Sequence, residues 1–510
     1  MLSTALASTV IRSVTTDGDP VEWVDKIIGS GAMKDVYFSP DKSYVVAFYK
    51  AKPDANTKER LLKIAGEKWD SIFQGEGGDY WKNLFCWPYA VVEHDGRIGI
   101  VAPSYQSHFF FTHGSKNGDF LGIKGCEKEG KWFASANNQN RFLDPRERGD
   151  WLSYLSINVQ IARAVRRMHG AGLAHSDLSY KNVLVDPAGR RASVIDVDGL
   201  VVPGKYPPDV VGTPDFIAPE VVMTTHLKRD DPQRILPSIR TDRHALAVLI
   251  YMYLFYRHPL RGGKVHDITD ELHDEALSMG AKALFVEHPT DAGNRIRVAH
   301  AKPSELPWAD TAKLPYTVAG PYLAPLFKRA FIDALHHPEH RPTADEWESA
   351  LVKTIDLIQP CHNPSCDQRW YVFDNTMRPV CPFCGTPHQG KLPVLNLYSS
   401  RKQGQFRPDN HRLMVWTNQS LFLWHINRLI APNERLTAEQ KQRVGYFVLH
   451  AGQWWLVNEK LPALTEAKTK TAVPIGGKVA LTDGLQLLFG KADGDRLVVV
   501  QMVDGAPVSP

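Results

Sequence analysis

The 510-residue sequence has no run long and apolar enough to cross a membrane, no internal repeat and no low-complexity tract. Its opening stretch, Met1–Ile11, is mildly apolar, but no basic residue precedes it, so a secretory leader is not expected. Charge of one sign is scarce: 60 Lys and Arg face 56 Asp and Glu, and a formal +4 gives no ground to expect a nucleic-acid partner. Cysteine is scarce as well, and four of the six form two close pairs, Cys361 with Cys366 and Cys381 with Cys384. That grouping is how a metal site uses thiols. It argues against a disulfide framework and for a reducing, cytoplasmic setting. Cys86 and Cys126 stand apart and read as ordinary core or loop thiols. What is present, 43% hydrophobic and 23% charged residues, fits a globular chain too long for one core.

Residues 21–110 show short β-rich runs, Val45–Tyr49, Ala90–Glu93 and Ile98–Ala102, with one helical stretch near Asn56–Phe73. Residues 112–148 are rich in Gly, Asn, Lys and Asp and read as an insertion or long loop. From Trp151 to Ile358 the pattern is mostly helical, Trp151–His169 being a well-formed amphipathic example, with a Pro-rich loop at Val202–Pro208. The cysteine pairs follow. The tail is again strand-like, with LMVW, YFVLH, QWWLV and LVVVQMV set between Asn, Gly and Asp turns.

The densest chemistry lies in HSDLSYKN, where Asp177 precedes Asn182 by five residues, and in VIDVDG, where Asp196 ends an apolar strand fourteen residues later. A carboxylate that orients a substrate hydroxyl, an amide and a second carboxylate that hold magnesium are needed at such intervals for phosphoryl transfer. Asp198 is a rival metal ligand ranked behind Asp196. Downstream, Gly212–Glu220 reads GTPDFIAPE. Together these residues resemble the eukaryotic-like protein kinases over 21–358, with an N-lobe at about 21–110 and a C-lobe at about 150–358. The resemblance implies that Asp242 braces the catalytic-loop backbone and that Arg341 pairs with Glu220.

The ATP-binding half departs from that family's pattern. Gly29 and Gly31 let backbone amides approach phosphates, and Val36 and Ala47 would cover adenine, but Lys34 replaces the third glycine. Tyr49 stands where the phosphate-pairing lysine belongs. Lys50 is next to it, yet a shift of one along a strand turns a side chain to the other face. Both changes resemble the with-no-lysine kinases, which implies Lys34 as the phosphate lysine, with Lys50 as the fallback. Glu67 is expected to fix that lysine, Glu59 being the alternative and a solvated helix charge the bland reading of either. Ser179 occupies the place of a phosphate-contacting lysine in serine/threonine kinases, and Lys181 is expected to supply the charge. Ser176 replaces the Arg that receives an activation-loop phosphate, and no Ser or Thr lies between Asp196 and Gly212. Competence without loop phosphorylation is therefore expected, Tyr206 and Thr213 remaining as candidate sites.

C-x4-C and C-x2-C, with Pro382, Phe383 and Gly385 shaping the second knuckle, predict one structural zinc on four thiolates at Cys361, Cys366, Cys381 and Cys384, His362 lying beside it. The strands of 391–510 predict a β-sandwich similar to forkhead-associated domains, without the Gly-Arg and Ser-x-x-His pattern those use on phosphate. Trp416, Trp424, Trp454 and Trp455 are expected in its core. The expected fold class is therefore α+β multidomain: a bilobal protein-kinase fold (21–358), a four-cysteine zinc ribbon (359–390) and an all-β, forkhead-associated-like sandwich (391–510). This order resembles the kinase of the bacterial TerY-P, tellurite-resistance-associated phosphorylation triads. The resemblance implies a serine/threonine protein kinase using ATP and Mg2+ on a protein substrate in bacterial signalling or stress response. It also implies a von Willebrand A-type protein and a metal-dependent protein phosphatase as partners. The rival readings are a pseudokinase scaffold and a kinase for a small-molecule hydroxyl.

Overall fold

The computed structural model describes residues 9–31, 33–52, 54–75, 77–200, 212–228, 230–375, 378–402 and 404–505. Packing divides the chain into two units. The first takes in Met1–Arg148, Ile157–Thr311 and Phe327–Glu346; the second takes in Gly149–Ser156, Ala312–Leu326 and Trp347–Pro510.

The first unit begins with a hairpin, β1 (Val10–Val14) and β2 (Pro20–Val24), followed by β3 (Ile27–Ser30), β4 (Lys34–Phe38), β5 (Tyr44–Tyr49), β6 (Ala90–His94) and β7 (Arg97–Pro103). The last five form one antiparallel sheet in the order β3-β4-β5-β7-β6. Its central strand, YVVAFY, is β-branched and aromatic, and Val46, Ala47, Phe48 and Tyr49 are all buried because both faces are covered. Val46 and Phe48 pack with Trp23, Val21 and Val101 on one face. Ala47 and Tyr49 pack with Leu61 of the helix Ala55–Lys63 on the other. Asp54 caps that helix by accepting from Thr57 N at 2.7 Å. Beyond Lys63 the helix widens into a π-helical turn, Ile64–Lys68, before resuming over Trp69–Phe73.

The helical part holds the helix Trp151–Gly170 and the helix Ile239–Phe255, which is buried along almost its whole length. Ser238 and Thr241 form a capping box at the start of the latter. A short hairpin, β8 (Val183–Asp186) and β9 (Arg191–Val194), pairs from Val183↔Val194 to Asp186↔Arg191. Residues 112–148, expected as an insertion or long loop, are pinned from within. Lys128 is buried between Glu147 (3.1 Å) and Asp186 (2.9 Å), themselves buried. Glu147 also accepts from the His113 backbone at 2.5 Å. At Gly130 a Cβ would lie 1.9 Å from the Tyr253 hydroxyl, so only glycine fits where the insertion meets this core.

In the second unit β10 (Ile358–Pro360), just before Cys361, pairs with β11 (Trp370–Val372), which lies between the two cysteine pairs. Leu357 packs with Cys366, Tyr371, Phe373 and Cys381 within this unit. Beyond the cysteines begins a set of strands in two antiparallel sheets: β12 (Lys391–Lys402), β13 (Gln405–Met414), β14 (Ser420–Leu421), β15 (Gly445–His450), β16 (Gln453–Asn458), β17 (Thr465–Glu466), β18 (Lys478–Ala480), β19 (Gln486–Leu488) and β20 (Arg496–Asp504). Their orders are β13-β12-β20-β19-β17 and β14-β15-β16-β18. Leu395, Leu397, Val498 and Val500 of one sheet share a core with Phe447 and Leu456 of the other. Of the four tryptophans expected in that core, Trp454 is buried and donates to Lys391 O at 2.8 Å; Trp416, Trp424 and Trp455 are half-buried at its margin. Among the described residues no helix is long and apolar enough to cross a membrane.

Candidate active site

The hairpin β8–β9 sets the lower half of the site. Asn182 precedes its first strand and Asp196 follows its second by two residues, and backbone bonds tie the two ends together: Ile195 N donates to Asn182 O at 3.0 Å. The His175 Nε2 lies 3.0 Å from Ile195 O, which joins the loop before Asp177 to the same point. Asp242, buried on the helix Ile239–Phe255, accepts from His175 N at 2.7 Å and Ser176 N at 3.1 Å, and Ser176 takes a positive φ of 68° to offer its N–H. These bonds hold the 175–182 loop by its backbone and leave its side chains to the site.

Asp177 is oriented from both sides. Its Oδ1 accepts from Thr213 N (2.6 Å) and Thr213 Oγ1 (2.8 Å), and its Oδ2 from Asn182 Nδ2 (3.0 Å). Asn182 Nδ2 also donates to Asp177 O at 2.8 Å, which uses the amide nitrogen within the loop and leaves the amide oxygen free to accept or to ligate a cation. Thr213 belongs to the GTPDFIAPE segment, whose Glu220 is held by the buried Arg341 at 2.8 and 2.7 Å. A pocket beside Asp177 is lined by Thr213, Ile217, Ala218 and Val221.

The upper half comes from β4 and β5, whose register sets Lys34 directly across from Tyr49 and Val36 across from Ala47. Ala47 and Tyr49 therefore share the face that Leu61 covers, and Lys34 reaches under it. Its Nζ meets Asp196 Oδ1 at 2.8 Å and both Asp198 oxygens at 2.9 and 2.8 Å. Burial alone would depress the Lys34 ammonium, but Asp198 and Asp196 outweigh it and hold its pKa above the ordinary lysine value. Lys50 turns the other way, donating to Ser30 Oγ at 2.9 Å and Gly31 O at 2.7 Å. Gly29 pairs with Val36, and Gly31 N donates to Lys34 O at 2.9 Å, closing the turn between β3 and β4. Lys181 is exposed beside Ser179, whose hydroxyl accepts its backbone N–H at 3.3 Å.

One expectation fails here. Glu67 does not meet Lys34; it is exposed and lies 3.3 Å from Lys68 Nζ. Position 67 lies six residues past Leu61, about 240° round a regular helix from the face that Leu61 presents to the sheet, and the π-helical turn Ile64–Lys68 does not bring it back. The carboxylate that meets Lys34 in its place is Asp198, 3% exposed, which Tyr49 Oη also contacts. Sequence reading had ranked Asp198 as a rival metal ligand. Tyr206 lies outside the described residues.

The donors fit the groups such a site implies. Asp196, with 49% of its side chain exposed, and the Asn182 amide are hard oxygen ligands suited to Mg2+. In the second unit the four cysteine sulfurs lie within 4.8 Å of one another, with Cys361–Cys384 at 3.4 Å and Cys366–Cys381 at 3.9 Å. A tetrahedral zinc with sulfurs at about 2.3 Å requires them roughly 3.8 Å apart. Gly385, at φ 75°, donates to Cys381 O and closes the second knuckle. No other group of His, Cys, Asp and Glu among the described residues clusters in this way.

Residues 133–370 match the protein kinase domain family. The serine/threonine-protein kinase PknD of Chlamydia muridarum is 25% identical over 299 residues, 52% of this chain and 27% of that protein. The serine/threonine-protein kinase PkaB of Streptomyces coelicolor is 27% identical over 120 residues, 21% of this chain and 26% of its own length. The death-associated protein kinase dapk-1 of Caenorhabditis elegans is 36% identical over 107 residues, 20% of this chain and 7% of its own. The chain thus spans between 7 and 27% of these relatives' lengths. Among solved structures, the kinase domain of a Toxoplasma gondii rhoptry antigen is similar at 13% identity and a TM-score of 0.39, over 69% of this chain and 88% of that one.

Proposed function

With a protein kinase domain related to bacterial and eukaryotic serine/threonine kinases in place, we propose that the chain transfers the γ-phosphoryl group of ATP to Ser or Thr hydroxyls of a protein. The observation that carries this reading is Asp177. Its carboxylate is fixed by Thr213 and Asn182, so one rigid acceptor is held ready for a substrate hydroxyl. Asn182 and Asp196 would hold Mg2+, which with ATP supplies the reacting phosphoryl group and the charge that stabilises its transfer. Lys34 would steady the phosphates from β4, and Gly29 and Gly31 would bring backbone N–H groups to them. Val36 and Ala47 would flank the base, and Lys181 lies close enough in sequence to Asp177 to add positive charge near the transferring group.

The four cysteines are proposed to hold one structural zinc, and the two-sheet region to be a forkhead-associated-like domain in a chain organised as kinase, ribbon and sandwich. That order supports a place in a bacterial phosphorylation triad with a von Willebrand A-type protein and a metal-dependent phosphatase, acting in the cytoplasm. The alternative is a scaffold without turnover. Its support is that the Lys34 ammonium is already engaged by Asp196, one of the two magnesium residues.

Magnesium-dependent transfer of labelled γ-phosphate to the protein itself and to a generic basic protein separates these readings. Loss of transfer in Asp177→Asn and Lys34→Met, with retention in Lys50→Met, is the expected result. Nucleotide binding without transfer in every form would leave the scaffold.

A further inference from the structure

Lys34 meets two carboxylates that differ in kind. Asp196 is half-exposed and sits at a positive φ of 58°. Asp198 is buried, and its two oxygens accept Lys34 Nζ at 2.9 and 2.8 Å while Oδ2 also takes the Tyr49 hydroxyl. The two donors come from neighbouring strands at one register position, Lys34↔Tyr49, with the lysine Nζ 5.6 Å from the centre of the tyrosine ring. A buried carboxylate without partners is costly; one bonded by an ammonium and a hydroxyl is fixed in place.

We propose that Asp198 is the positioning residue for Lys34 and that Tyr49 locks Asp198, so that the phosphate lysine is anchored by the loop after β9 and not by a carboxylate on the helix that follows β5. This rests on the reading of the site as a phosphoryl-transfer centre. The choice of tyrosine follows from charge. Lys34, Asp196 and Asp198 together carry one net negative charge, which favours a divalent cation; a second ammonium at position 49 would cancel it, whereas a neutral hydroxyl bonds Asp198 and leaves the balance intact. The regulatory consequence is that movement of the helix Ala55–Lys63 and its continuation does not assemble or disassemble the lysine's anchor.

The test compares Asp198→Asn, Tyr49→Phe and Glu67→Gln in the full chain, with thermal melting as the control for folding. Lys34 labelling by an amine-reactive ester, followed by mass spectrometry in the absence of nucleotide, reads the anchor without turnover. Asp198→Asn and Tyr49→Phe are expected to raise the labelling rate of Lys34 at least tenfold and fivefold, and Glu67→Gln to leave it unchanged. Calorimetry with ATP and Mg2+ is expected to show weaker binding in the first two, and in steady state Tyr49→Phe raises the KM for ATP more than it lowers kcat. Wild-type labelling in both Asp198→Asn and Tyr49→Phe, or a larger effect from Glu67→Gln than from Tyr49→Phe, overturns the proposal. If the labelling pattern holds while even the wild type transfers no phosphate, the catalytic reading fails and the anchor stands.

Discussion

Replacing Lys128 by Met isolates the interaction that supports the β8–β9 hairpin. Lys128 is one buried cation between two buried carboxylates, Glu147 at 3.1 Å and Asp186 at 2.9 Å, and Asp186 ends β8. Methionine keeps the aliphatic volume but leaves two carboxylates facing each other out of water. Breaking a buried ion pair from one side costs about 3–5 kcal/mol. For a unit of this size each kcal/mol moves the melting temperature by about 2–4 °C, so scanning calorimetry should show its transition lowered by roughly 10 °C. The triple variant Lys128→Met, Glu147→Gln, Asp186→Asn removes every charge while retaining amide acceptors for the His113 and Gly114 backbone N–H groups that Glu147 now serves. It should recover a substantial part of the loss, because the penalty lies in the uncompensated charges and not in the missing bonds. A single-variant loss below about 1 kcal/mol, the range of exposed pairs, would show that water reaches this triad and that it does not brace the hairpin.

Three further outcomes are expected. Chelation of the purified protein should release one zinc per chain and turn four thiols reactive toward a thiol reagent, with a fall in the melting temperature of the cysteine-bearing unit; an unchanged thiol titre would refute the site. His258 is buried and its pKa is lowered to about 4, mainly by burial, with its Nδ1 accepting from Leu260 N at 3.1 Å and its Nε2 2.9 Å from Asp215 O. The unfolded chain binds this proton near pH 6.5 and the folded one does not, so stability present above pH 6.5 is lost as the pH falls toward about 4. His258→Gln should flatten that limb of the stability profile, and an identical slope in both proteins would refute the assignment. Glu220→Gln should cost several kcal/mol (about 3–5) by leaving Arg341 buried without its carboxylate, read as a lowered denaturant midpoint.

Where chemistry depends on neighbours in sequence, it was legible. The interval from Asp177 to Asn182 and on to Asp196 describes one loop and one hairpin, so counting residues locates all three. Strand alternation turns Lys50 away from the face of Tyr49, and the register Lys34↔Tyr49 puts Lys34 on that face, while the phosphate role of Lys34 came from the with-no-lysine resemblance alone. Glu67 did not follow, because eighteen residues counted from Tyr49 fix no helix face, and position 67 falls in the π-helical turn Ile64–Lys68, which Gly66 interrupts, on the side away from the sheet. The contact between Tyr49 and Asp198, 149 residues apart, was invisible because it needs the mutual placement of a strand and a distant loop. The tail's alternating strands gave two sheets, yet three of its four tryptophans fell at the margin of the core, since alternation marks a face and not a depth.

The β8–β9 hairpin behaves as a staple. Four residue pairs, Val183↔Val194 through Asp186↔Arg191, hold its legs at a fixed spacing, and the two metal-facing residues ride just beyond the open end. Separating Asn182 from Asp196 would mean pulling the staple apart, whereas Lys34 is carried by a strand of a different sheet. The lower half of the site is thus rigid by construction, and Lys34 reaches down to it from the other sheet as a clasp closed on Asp196 and Asp198.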